Sequence, residues 1–450
     1  MVSFRGVLYG QAAANANPVP GTEPDRLLRD SVDERIRSEQ ARVARDPEFW
    51  VSYNRLAAAY AQKARETGDI SYFELAEGSL RQSLKLESTH EEAGPAWMQL
   101  ATVHLAEHRF KEAADEARRA IALMPGNLMP YPYAGDAELE MGDYATAHEL
   151  YSHLLEPSDG RPHPGILFLA ASHGASLDWI EGRVSQASDD LRHAVDLSRE
   201  LRLPAENIAW TEFMLGEQFF QSGDLSAAEA SEAASLADFP RYHRALAAMG
   251  QIRGAQGKLP EAISWYKQAI AIIPLPVYVA ALGDLYSASG DAAQAQKQYA
   301  LVEYIGKLSA INQQVFNRDL ATFYADHDLK LTDALALARK ELEVRHDVYT
   351  SDALAWALLK NGQLDEARTA IEQALRMGTQ DALMEYHAGM IYNTLGDRAK
   401  ATYHLRRALA INPHFHILFA TRAIQTLARL DGTVSTSPVL ATEATPSHAN

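Results

Sequence analysis

DALMEYHAGMIYNTLGDRAKATYHLRRALAINP, residues 381–413, decides the fold. Apolar and small residues recur every three or four positions from Leu383 to Leu395 and again from Ala399 to Ile411, with Gly396-Asp397 between the two runs. That spacing predicts a helix, a tight turn and a second, antiparallel helix. Neither helix can bury its apolar stripe alone, so the unit requires neighbours of its own kind.

Worn copies of the unit fill most of the chain. Turn-centre residues fall at Gly68, His108, Gly142, Gly182, Gly223, Gly257, Gly290, near His327-Asp328, and at Gly362 and Gly396. From Gly223 to Gly290, and from Asp328 to Gly396, successive intervals are 33 or 34 residues, too regular for unrelated helices. The expectation is an all-α solenoid of about ten antiparallel helix pairs. Around it, residues 1–27 read as a flexible arm, 28–155 as N-terminal repeats with a charged leading helix, and 156–165 (EPSDGRPHPG) as a loop. Residues 166–413 form the C-terminal superhelix, 414–431 a capping helix, and 432–450 a disordered tail rich in Ser, Thr and Pro.

Small residues sit where the helices of a pair would cross. Gly250, Gly283 and Gly389 lie seven positions before a turn glycine, and Ala262, Ala295, Ala367 and Ala401 five positions after one. Tyr266 and Tyr299 fill the wider space one turn along, and Pro274 and Pro413 stop helices.

LAAMGQIRGAQGKLPEAISWYKQAIAIIP at 246–274 and YHAGMIYNTLGDRAKATYHLRRALAINP at 386–413 resemble the tetratricopeptide repeat family. The resemblance runs from Phe49 to Pro413 and is strongest from Trp210 onward. PLPVYVAALGDLYSASGDAAQAQKQYALVE (274–303) and VYTSDALAWALLKNGQLDEA (348–367) also look like segments of a bacterial multi-repeat subset, many of whose members look exported and have no assigned activity. The resemblance implies a right-handed superhelix whose first helices line a concave surface. Projected onto that surface are Trp210, Phe213, Glu217, Phe220, Gln251, Asp284, Asp352, Trp356, Tyr386, Met390 and Asn393. Aromatic side chains mixed with carboxylates and amides suit an extended peptide or a partner helix. The alternative is that several of the aromatics fill the space between helices. Family members that clamp acidic C-termini use convergent Lys, Arg and Asn; Glu217, Asp284 and Asp352 would repel such a tail, with Lys360 the basic exception. A neutral-to-basic protein or peptide partner is the better match.

Other classes are disfavoured by composition. The chain has 450 residues and a formal net charge of -17, with no arginine-rich stripe, which opposes nucleic acid and anionic membranes as partners. It has no cysteine, which excludes disulfides and thiolate metal sites. No stretch approaches the roughly 20 apolar residues of a membrane span. The start, MVSFRGVLYGQAAANANPVPG, has no apolar signal core and reads as soluble and cytoplasmic; a trimmed or misassigned start would leave periplasmic or exported placement open.

The 16 histidines do not fall at metal-ligand spacing; His387, His404, His414 and His416 cluster in sequence without declaring three convergent ligands. GASLDWIEG, residues 174–182, holds a serine near carboxylates but no nucleophile-elbow context, and reads as a surface turn. The expectation is therefore a noncatalytic binding scaffold with no cofactor and no metal. A sensor or carrier for a small molecule or peptide is the second reading, an enzyme with an unrecognised site the third. Self-association is left open by the sequence.

Overall fold

A computed structural model describes residues 31–155, 163–311 and 317–432. The 1–27 arm, the 156–162 part of the loop and the 433–450 part of the tail lie outside the described residues. Among those described, a leading helix α1 (Val32–Arg45) precedes ten antiparallel pairs. In the N-terminal half these are α2 (Trp50–Thr67) with α3 (Ser71–Leu86), α4 (Gly94–Ala106) with α5 (Phe110–Leu123), α6 (Tyr131–Met141) with α7 (Tyr144–Ser152), α8 (Pro164–Ile180) with α9 (Val184–Glu200), and α10 (Ala205–Gln221) with α11 (Leu225–Asp238). Then follow α12 (His243–Ala255) with α13 (Leu259–Ile272), α14 (Pro276–Ala288) with α15 (Ala292–Ile311), α16 (Asn317–Asp326) with α17 (Leu331–Leu342), α18 (Val348–Lys360) with α19 (Leu364–Ala374), and α20 (Ala382–Thr394) with α21 (Arg398–Ile411). A single helix, α22 (Phe419–Leu430), covers the end. No described helix is long and apolar enough to cross a membrane.

The turns have the backbone that the spacing demands. All ten turn centres are left-handed, including the two that lack glycine, His108 (φ 60) and Asp328 (φ 54). Two boundaries differ from the sequence expectation. Pro164 and Gly165 open α8 instead of closing a loop, because proline fits the first helical turn and His163 caps it, its ring nitrogen accepting from the Gly165 amide at 3.1 Å. Residues 174–180 are the last turns of the same helix, with Trp179 buried, so GASLDWIEG is not a surface turn until it reaches Gly182.

Within each pair the small residues bring the backbones together. A Cβ on Gly250 would come within 2.6 Å of the Tyr266 ring, and one on Gly389 within 2.6 Å of Leu405 Cγ. Ala262, Ala367 and Ala401 are fully buried at the same crossings. Gly250→Ala is expected to cost about 1–3 kcal/mol in urea unfolding, because the Tyr266 ring is itself buried and has nowhere to retreat. A neutral result would mean that the pair can spread.

Successive turns of the superhelix touch. The turn of the first pair meets the end of the sixth, since a Cβ on Gly68 would lie 2.7 Å from the Ile273 side chain. The turns of the third, fourth and fifth pairs abut the junctions after the eighth, ninth and tenth: Gly142 against His346, Gly182 against Gly378, Gly223 against Ile411 and Asn412. Each of these four turn centres thus meets the junction following the pair five places on. Hydrogen bonds close these contacts. The His346 amide donates to Met141 O at 3.2 Å, Thr379 Oγ1 to Ile180 O at 2.5 Å, and Asn412 Nδ2 to Phe220 O at 2.7 Å. The acceptors are carbonyls at the C-termini of first helices, which have no partner within their own helix.

Candidate inner-face binding site

The first helices of the pairs face the superhelix axis, and closure by the next turn makes that face an interior. Of the eleven side chains projected onto it, nine are buried; Met390 and Asn393 are half-buried. Six of the nine serve packing or internal hydrogen bonds. Trp210 packs with Phe168, Phe213 and Tyr242, and Phe220 with Met249 and Ile252. Gln251 is buried within α12. Trp356 stacks on His387 at 4.3 Å, its indole N–H donating to Asp326 at 2.8 Å, while Tyr386 stacks on Phe419 at 5.2 Å. Asp352 holds His387, both carboxylate oxygens 3.0 Å from Nδ1.

The remaining three also border cavities, Phe213 while packing against Tyr242 and Asp284 while accepting from Tyr299 at 2.8 Å. Phe213 and Glu217 of α10 border a cavity, partly open to solvent, between the third to fifth pairs and the α17–α18 junction. Leu139, Trp179, Ile180 and Met214 give it apolar walls; Glu140, Glu217 and Asp347 supply carboxylates, Asp347 also pairing with Arg318 at 3.3 Å, and Arg345 supplies a guanidinium. That guanidinium is itself held by Glu140, by Glu341 at 3.4 Å and by Asp347 at 3.3 Å. Burial alone would push the Asp347 carboxyl up, but Arg345, Arg318 and the Thr350 donors hold it below the usual range. Asp284 borders a second, much tighter pocket with Asp319, Asp326 and His327. Desolvation raises both Asp319 and Asp326. Both cavities thus combine apolar walls with carboxylates.

The repeat unit behind this surface is identifiable by profile: that of the tetratricopeptide repeat family matches residues 213–275 and 353–414. The chain carries tetratricopeptide repeats in these two regions. Among solved structures it is similar to the APC/C hetero-tetramer Cut9–Hcn1, at 14% identity over 90% of this chain and 94% of that one, with a TM-score of 0.33. It is similar also to BtubC from P. vanneervenii (21% identity, 46% and 91% covered, TM-score 0.38) and to yeast Tom70 (12%, 84% and 96%, 0.32). No curated protein matches the chain.

Histidines join neighbouring pairs. His173 Nδ1 lies 2.8 Å from Asp136, His327 Nε2 2.7 Å from Asp284, and His387 Nδ1 3.0 Å from Asp352. Tyr151 and Tyr299 on second helices add hydroxyl donors to Asp136 and Asp284 at 2.7 and 2.8 Å. The four C-terminal histidines do not converge: His404 pairs with Glu385 at 2.6 Å, His416 Nδ1 accepts from the Leu418 amide at 3.1 Å, and His414 is exposed. One group with ligand spacing, Glu77, His104 and Glu107, escaped the sequence reading because its members come from two pairs. Arg109 lies 3.4 Å from Glu77 and 3.3 Å from Glu107, so a cation already sits on those carboxylates.

Burial sets the acid response of the array. Desolvation lowers His243, whose Nδ1 lies 2.8 Å from the Tyr278 hydroxyl, to about 3, and lowers His416 well below its usual value. A histidine held neutral in the fold binds its proton first in the unfolded chain. Stability is thus present above the unfolded value near 6.5 and falls as pH drops towards 3. His327 acts oppositely: burial works against its charge, but Asp284 wins and raises it, so its contribution is full at low pH and lost as pH rises through the folded value. His243→Gln is expected to flatten the acid limb of a stability–pH profile by up to about 1.4 kcal/mol per pH unit. An unchanged slope in urea unfolding between pH 4 and 7 would contradict the neutral, buried assignment.

Proposed function

We propose that this tetratricopeptide repeat chain is a noncatalytic protein-interaction scaffold that takes an extended, neutral-to-basic peptide on its inner face. The observation that carries the reading is the larger cavity, whose apolar walls stand beside the carboxylates of Glu140, Glu217 and Asp347 and suit aliphatic or aromatic side chains beside a cation. Of the side chains projected from the sequence, Phe213 and Glu217 are the contact candidates there and Asp284 in the smaller cavity. An acidic tail would meet like charge at both.

The test is fluorescence polarisation with labelled peptides alternating leucine and arginine, against peptides with glutamate in place of arginine. The arginine series is expected to bind at least about tenfold more tightly, a difference near 1.4 kcal/mol. Equal affinity, or preference for glutamate, defeats the reading. A carrier for a small molecule is the second reading, because the same cavity sets a few polar groups among apolar side chains. A low-mass adduct retained by purified protein in native mass spectrometry would favour it.

A further inference from the structure

We infer that the tight pocket between α13, α14 and α16 is a binding site for a single primary ammonium group, held by Asp319, Asp326 and the Tyr266 hydroxyl. The site is independent of the scaffold reading. Tyr151 and Tyr299 stand nine positions after a turn glycine, and each donates to the aspartate six positions before that glycine, Asp136 and Asp284, at 2.7 and 2.8 Å. Tyr266 holds the same place after Gly257, but Gln251 stands where the aspartate would be. The Tyr266 ring is 1% exposed and lines the pocket, and its hydroxyl has no hydrogen-bond partner among the described residues. A buried hydroxyl in that state is unfavourable unless a bound group meets it.

The pocket's carboxylates are not equally committed. Asp284 is spent: it accepts from Tyr299 and lies 2.7 Å from His327 Nε2, whose charge it favours. Asp326, 9% exposed, gives one oxygen to the Trp356 indole at 2.8 Å and still lines the pocket. Asp319 has no hydrogen bond or ion pair with a described residue; Arg318, which favours its charge, lies 3.3 Å from Asp347 instead. Among the described residues lining the pocket, none is a lysine or arginine. Size and donor count then select the ligand. There is room for about one water-sized group, which admits an ammonium and excludes a guanidinium or a quaternary nitrogen. An ammonium has three N–H donors and no acceptor, and Asp319, the second oxygen of Asp326 and the Tyr266 hydroxyl can each accept one. Val277, Ala281 and Phe323 supply apolar contact for the first carbons of an alkyl stem. A metal ion is the poorer match, because the pocket's aspartates and His327 do not reach the mutual spacing of a three-ligand set. A lysine side chain of a bound peptide and a free alkylamine carry the same group.

Saturation-transfer NMR of n-butylammonium on the full chain, at constant ionic strength, tests the site. A saturable signal is expected, with tetramethylammonium and guanidinium at least about tenfold weaker as competitors than methylammonium, since neither can place three N–H donors in the pocket. Asp319→Asn and Tyr266→Phe should each weaken n-butylammonium several-fold while melting near the parent, because neither polar group is bonded within the fold. Asp333→Asn, an exposed carboxylate on α17, should leave it unchanged. Equal competition by tetramethylammonium overturns the site, as does parent affinity in both Asp319→Asn and Tyr266→Phe. Displacement of the amine by calcium at a lower concentration than by methylammonium overturns it too, in favour of a metal site. Displacement by a leucine–lysine peptide assigns the ammonium to a lysine side chain; amine binding that ignores this peptide assigns it to a free amine. If n-butylammonium binds and the leucine–arginine peptide does not, the ammonium site stands while the peptide-binding reading falls.

Discussion

Arg345→Ala is expected to destabilise the chain by about 3–5 kcal/mol in urea unfolding, because it strands buried carboxylates that have no comparable replacement cation. Arg345 is 2% exposed and pairs with Glu140, Glu341 and Asp347, while its guanidinium lies 4.9 Å from the Phe110 ring. Those partners come from the second, third, eighth and ninth pairs, so the substitution strikes packing within the repeats and the seam between superhelical turns together. Arg318, 3.3 Å from Asp347, limits the damage to that carboxylate but does not pair with Glu140. Arg345→Ala combined with Glu140→Gln should recover part of the loss, since the stranded charge is then gone. A cost below about 1 kcal/mol would place the cluster among solvated surface pairs.

Trp356→Ala should be comparably severe, about 3–5 kcal/mol from the cavity and lost apolar burial. The ring is 1% exposed and packs against His387, Tyr386 and Phe419, with the Lys360 ammonium 4.9 Å above it. Its indole N–H is also the donor to Asp326, a carboxyl that burial already raises. Trp356→Phe separates the two contributions: it keeps most of the packing and removes the donor, for a smaller expected cost of about 1–3 kcal/mol. Calorimetric melting of both variants would check this. If Trp356→Ala melted like the parent, the ring would be a contact surface and not a packing element.

The local fold could be read directly from spacing. Intervals of 33 or 34 residues placed the turn centres, and the small residues seven before and five after them sit at close crossings in the structure. What periodicity does not carry is superhelical pitch. The contacts Met141–His346, Ile180–Thr379 and Phe220–Asn412 join residues about two hundred positions apart, and nothing in a pair of amphipathic helices states how far along the next turn returns. That missing quantity decides whether a first-helix side chain such as Trp356 or Tyr386 meets solvent or protein. A partial signal was available: Asp136 with His173 and Asp352 with His387 recur at nearly one repeat length, spacing that suits a bond between neighbouring first helices. The Glu77, His104 and Glu107 group and the cavity wall combine side chains from separate pairs, and their convergence is a property of packing alone.

Repeat arrays ordinarily behave as strings, each unit secured only by its neighbours, so that ends fray and the whole stretches like a loose spring. Here the coils rest on one another. Pulling the ends apart would have to break the hydrogen bonds to the carbonyls of Met141, Ile180 and Phe220 while the Arg345 cluster opens, and pushing them together meets backbone closely approached at Gly142 and Gly182. Load on one coil passes sideways to the next as in overlapped brickwork. The molecule should accordingly yield in one cooperative step rather than peel from its termini, with a stiffness set by the seam more than by any single repeat.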